Sequence, residues 1–171
     1  SQSSRECQQW KHAYKQDDYS VAKVCYLTDD ISRDGATSRI LGNEYMNEAL
    51  IGTLVAHVPC PHFVRTVDAY IHDGVGHLLM DYAGHSLTRV LMDLTLDQFK
   101  SVVLQVLLAI AIGQDTIFLK HHDVHLDNIF VSTLRDHTYK GKNLKDHAVW
   151  KYSISGKTFY VRHAGLLARL G

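Results

Sequence analysis

One stretch constrains the fold more than any other: LTLDQFKSVVLQVLLAIAIGQ, residues 94–114 of a 171-residue chain. It offers a helix cap at Thr95 or Asp97 and then places apolar residues on nearly every side of a helix over residues 96–114. Such a helix has no solvated face of its own, so it must lie centrally and be covered by what the rest of the chain builds. Its apolar run, residues 102–112, contains Gln105 and is shorter than the roughly 20 residues of a membrane span. A core helix is therefore expected, and no membrane span.

Around this helix lie short strand-like runs. YSVAKVCYL, residues 19–27, is rich in Val and Tyr and reads as a strand, and the polar DDISRDGATS after it reads as a loop. NEYMNEALIGTLVAHV has helical spacing, with Asn43 as N-cap, Glu44 in the first turn and Pro59 and Pro61 beyond its end. HFVRTVDAYI and GHLLMDYAG read as a hairpin. VWKYSISGKTFYVR reads as another around Ser155-Gly156, and the polar stretch 132–148 before it reads as a loop. The order is strand, helix, two strands, long helix, polar loop, strands. This is an α+β chain: an antiparallel sheet with one helix leading into a helical half, with a cleft between them. Lys+Arg and Asp+Glu both number 18, which gives no reason to expect bulk attraction to nucleic acid or an anionic membrane and leaves only a local basic groove open. Cys7, Cys25 and Cys60 are odd in number and far apart, with no C-x-x-C, which fits a reducing, intracellular compartment.

Chemistry concentrates in FLKHHDVHLDNIFV, residues 118–131. By its residues alone this segment is open to three readings: a surface loop, a Zn²⁺ site on His122 and His125, or a catalytic loop. Its context favours the third. The segment resembles the catalytic loop of the protein-kinase superfamily, H-R-D-L-K-x-x-N, with His121-His122-Asp123-Val124-His125-Leu126-Asp127-Asn128 in its place. SVAK resembles the strand that carries the family's lysine, here Lys23. Glu44 and Glu48 follow one turn apart on a helix, and Glu48 is the expected partner of Lys23, with Glu44 as the alternative. HLLMDYAGHSL resembles the strand and hinge that meet adenine.

The resemblance covers about residues 10–171 and implies a two-lobe kinase fold, with residues 1–82 as the N-lobe and residues 83–171 as the first part of the C-lobe. It implies that ATP and Mg²⁺ are the cofactors and that a protein hydroxyl is the acceptor. In that scheme Lys23 and Glu48 position ATP. Met80, Asp81 and Ala83 line the adenine site, Met80 as gatekeeper and the other two through their backbones. Asp123 accepts the hydroxyl proton, His125 stands where a lysine meets the γ-phosphate, and Asn128 holds the metal. D-[LV]-H-x-x-N is similar to haspin-like and large-DNA-virus kinases, which adds a host cell or virion to the cytoplasm and nucleus as expected locations.

Three departures bear on activity. His122 replaces an arginine, SSRECQQW lacks the glycines of the phosphate-covering loop, and no D-F-G follows YVRHAGLLARLG. GLLARL reads as a strand pairing with NIFV, after which an Asp-containing D-F-G-like segment is expected beyond Gly171. Without it, further chain or a partner protein would have to cover the long helix. Two other functions stay open: a pseudokinase scaffold, and a small-molecule kinase of the aminoglycoside or choline type.

Overall fold

The computed structural model describes residues 20–26, 35–134, 138–139, 142–143 and 149–171. The glycine-free segment SSRECQQW and Cys7 lie outside them. The described chain is α+β with antiparallel sheets, and it divides into two compact units.

The first unit holds β1 (Ser20–Tyr26), α1 (Gly35–Val55), β2 (Thr66–His72) and β3 (Val75–Asp81). The strands order β1-β3-β2, all antiparallel. The β2–β3 hairpin turns on Asp73-Gly74, both at positive φ (49° and 75°), the handedness that matches strand twist and favours Asp-Gly. Tyr45 seats α1 on this sheet. Its ring lies so close to Gly76 that an added Cβ would fall 2.6 Å away. Its hydroxyl reaches the carbonyls of Tyr70 (2.9 Å) and His77 (3.1 Å), and burial raises its pKa. The helix begins at Gly35, eight residues before the expected cap at Asn43. Gly35, Thr37 and Ser38 made the segment look like a loop, but helix propensity is a weak local term that context overrides.

The second unit holds residues 58–63 and 83–171. Its long helix, α3 (Leu96–Ile117), follows a short helix α2 (Leu87–Val90). Thr95 caps α3 in a reciprocal box with Gln98, which decides between the two cap candidates. The helix packs mainly on β10 (Leu166–Leu170). Gln105 is wholly buried there. Its amide nitrogen donates to Ser101 Oγ and the Leu166 carbonyl, and its oxygen accepts from Ala168 N at 2.9 Å. That explains a glutamine inside an apolar run: both ends of its amide are satisfied.

The expectation of burial on all sides is corrected. Leu96, Leu104 and Leu107 are 67%, 46% and 56% exposed, because the described residues cover one face only. The length argument against a span is corrected too. The whole helix is 22 residues and is long and apolar enough to cross a membrane by length and composition alone, although its Gln105 face is bonded into protein.

β10 pairs antiparallel with β5 (Ile129–Thr133), which also pairs with β4 (His85–Ser86). The hairpin of β8 (Val149–Ile154) and β9 (Lys157–Arg162) turns on Ser155-Gly156, again both at positive φ. Within the stretch expected to be a loop, β6 (Thr138–Tyr139) pairs with β7 (Lys142–Asn143). His62 ties distant segments together. Its Nδ1 meets the Ala168 carbonyl, its Nε2 the Tyr152 hydroxyl (both 2.8 Å), and its backbone carbonyl accepts from Leu170 N.

Candidate active site

In the first unit, β1 places Lys23 opposite Leu78 in the sheet. Tyr45 fixes the rotation of α1, and Glu48, nearly a turn further on, meets Lys23. The Lys23 ammonium donates to both carboxylate oxygens of Glu48, at 2.6 Å and 2.8 Å. Both side chains are nearly half exposed. Glu44, the alternative, is exposed on the same helix. Two of the three ammonium hydrogens are spent on Glu48, and the third is available to an anion.

Met80 and Asp81 end β3, Met80 between Val21 and Thr66 of the neighbouring strands. The Asp81 carboxylate, only 13% exposed, accepts from Arg65 Nε at 2.8 Å, and Asp81 N donates to the Arg65 carbonyl at 3.1 Å. Arg65 was not among the candidate residues. The hairpin register carries the signal, since it sets Arg65 across from Asp81 and opposite charges on paired strands attract.

In the second unit, Ala83 is buried. The loop itself begins where α3 stops. Phe118 takes a left-handed conformation (φ 55°), donating to the Gln114 carbonyl, and Leu119 N donates to the Gly113 carbonyl. This closure ends the helix and turns the chain. His121 then braces the loop. Its Nδ1 accepts from Asp123 N (3.3 Å) and its Nε2 meets the Gly171 carbonyl (2.9 Å). Gly171 N in turn donates to the Asn128 carbonyl at 2.9 Å. The end of β10 is thus tied to both sides of the loop.

Asn128 closes a ring across it. Its Nδ2 donates to the Asp123 backbone oxygen (3.0 Å) and to Asp123 Oδ2 (2.9 Å). With both amide hydrogens directed at Asp123, the Asn128 oxygen is left as a hard donor of the kind Mg²⁺ selects. Within its own unit, Asn128 thus offers an oriented amide oxygen that fits a Mg²⁺ ion. His125 stands beside Asp123, Nε2 to Oδ2 at 3.5 Å. His122 is exposed, and among the described residues no group of three or more His, Cys, Asp or Glu is arranged to hold a metal ion, so the Zn²⁺ reading of this loop finds no site. The Asp123 carboxylate is 77% exposed on its side chain.

A curated protein of Frog virus 3 (isolate Goorha), "Putative serine/threonine-protein kinase 019R", is 32% identical over 93 residues. This chain is similar to a viral protein kinase. The match takes in 53% of the chain and 10% of the relative, so the chain spans about a tenth of that protein's length. No protein-family model matches the chain.

Proposed function

We propose that this chain is part of an ATP-dependent serine/threonine protein kinase. The observation that carries the reading is the pairing of like machinery in kinase order: Lys23 gripped by Glu48, then Asp123 gripped by Asn128. Similarity to a viral kinase supports it. Bound ATP·Mg²⁺ would supply the phosphoryl group and neutralise its charge. Lys23, ordered by Glu48, binds the nucleotide phosphates. Met80, Asp81 and Ala83 meet the adenine, the last two through backbone groups. Asn128 gives its amide oxygen to the metal. Asp123 orients the acceptor hydroxyl and takes its proton as the oxygen–phosphorus bond forms and ADP departs. The acceptor is a protein, met in the reducing interior of a host cell, a compartment that suits the free thiols of Cys25 and Cys60.

The test is transfer of labelled γ-phosphoryl from ATP by the full-length protein, with generic protein substrates set against aminoglycosides and choline. Labelled protein, lost in Asp123→Asn, is the expected result. Labelled small molecule alone would move the activity to the small-molecule kinases. No transfer, together with no rise in melting temperature on adding ATP·Mg²⁺, would leave a pseudokinase scaffold, the reading that the glycine-free SSRECQQW favours.

A further inference from the structure

The kinase resemblance puts His125 in the place of a residue that meets the transferred phosphate. Its surroundings give it different work. His125 is the N-cap of the tight turn Leu126–Asn128, in extended backbone (φ −142°, ψ 172°), and its Nδ1 accepts from Asp127 N at 3.3 Å. An imidazole nitrogen that accepts carries no proton, so in the neutral ring the hydrogen sits on Nε2. That nitrogen is 3.5 Å from Asp123 Oδ2. The same oxygen takes the 2.9 Å hydrogen bond from Asn128 Nδ2. Both donors converge on Oδ2, and among the described residues none is directed at Oδ1. A 3.5 Å approach is long for a hydrogen bond, as catalytic contacts are before substrate draws them in.

We propose that His125 is a positioning residue for Asp123. The Asp127 amide sets its tautomer, its Nε2–H and Asn128 hold Oδ2 from two sides, and Oδ1 is the oxygen presented to the acceptor hydroxyl. The cap and the carboxylate contact are made by opposite edges of one ring, so one residue links the shape of the turn to the aim of the catalytic carboxylate. This rests on the kinase reading of the loop, but it moves His125 from the phosphate to the carboxylate.

The two edges of the ring can be separated by substitution in the full-length protein. In His125→Asn, the short amide keeps a capping oxygen near the Nδ1 position and cannot reach Asp123. In His125→Gln, the longer amide sets a donor near the Nε2 position. His125→Lys offers a flexible cation suited to phosphate. Positioning predicts that Asn lowers kcat by about tenfold to a hundredfold, the scale of a misplaced catalytic group, while KM for ATP stays within about twofold. Gln recovers most of the lost kcat. A capping role alone predicts the reverse order, Asn above Gln. A phosphate contact predicts a raised KM for ATP and rescue by Lys but not by Gln. Either pattern overturns the proposal while leaving the kinase reading intact. A wild-type protein without transfer activity sinks the kinase reading instead. The geometry then still meets its own test: ring ¹⁵N shifts of His125 must report a protonated Nε2 that responds to Asp123→Asn, and a protonated Nδ1 in the neutral ring refutes it.

Discussion

Lys23 Nζ sits 2.6 Å from one oxygen of Glu48 and 2.8 Å from the other. Both side chains are close to half exposed, and exposed ion pairs contribute only about 0.2–1 kcal/mol to stability. The pair is therefore better understood as holding a cation in place than as holding the fold together. Lys23→Met should leave the unfolding midpoint nearly unchanged and remove the stabilisation by ATP·Mg²⁺, which at a hundredfold excess over Kd amounts to about 2.7 kcal/mol. Glu48→Gln should weaken that stabilisation less, since the cation remains. Thermal melting with and without nucleotide reads both. Full nucleotide stabilisation in Lys23→Met would refute the role given to the pair.

Asp123 and Asn128 should separate by substitution. Asp123→Asn keeps the shape of the carboxylate and loses its basicity, so transfer should fall by about 10²–10⁴-fold, the usual worth of a general base, while nucleotide binding persists. Asn128→Ala removes the amide oxygen as well as the brace on Asp123, and should raise the Mg²⁺ concentration needed for half-maximal activity. Single-turnover transfer against a Mg²⁺ titration measures the two effects together. Loss of nucleotide binding in Asp123→Asn would mean that this carboxylate shapes the loop and does not act on the hydroxyl.

His62 makes the second unit sensitive to acid. Complete burial lowers its pKa from 6.5 to about 4, against the opposing pull of the Ala168 carbonyl. The folded ring is neutral, accepting from the Tyr152 hydroxyl and donating to the Ala168 carbonyl. The unfolded chain takes up a proton near pH 6.5 and the folded chain only near pH 4. The stability this confers is complete above pH 6.5 and is lost as pH falls toward 4, by about 3 kcal/mol in all. Urea unfolding at pH 7.5, 5.5 and 4.5 should show this slope, and His62→Gln, less stable at pH 7.5, should show a shallower one. Equal slopes would mean that other groups dominate the acid response.

Local turn chemistry made part of this architecture readable in advance. Asp73-Gly74 and Ser155-Gly156 each announce a two-residue hairpin, and both hairpins are present. GLLARL was expected to pair with NIFV, and does. Glu48 was expected to meet Lys23 because helical spacing and the kinase resemblance agreed, and the two are paired. What stayed hidden depends on contacts far apart in sequence. Nothing local to His62 announces Ala168, 106 residues away, or Tyr152, 90 residues away. The start of α1 was missed because Gly, Thr and Ser lower helix propensity, which is only a weak local term. The face of α3 that the described residues leave open agrees with the expectation that further chain or a partner covers this helix; hydropathy alone reports which residues favour burial, not what is there to bury them.

The connection from the first sheet into the second unit offers a last test, at Gly84. Its φ is +102°, and a Cβ built there would lie 2.2 Å from the Val131 carbonyl oxygen and 2.6 Å from its carbon. Both neighbours are backbone of β5, which is held on its other edge by β10, so neither can step aside cheaply. Gly84→Ala thus combines a disfavoured backbone conformation with a clash against a paired strand, and should cost about 2–4 kcal/mol. Gly156 provides the control. It also has positive φ (+77°), but nothing lies within 4 Å of its added Cβ, so Gly156→Ala should cost only the conformational part, about 1–2 kcal/mol. Urea unfolding of the two variants side by side isolates the clash. Equal losses would show that β5 yields to the methyl group and that the segment after β3 is less tightly seated against it than these distances require.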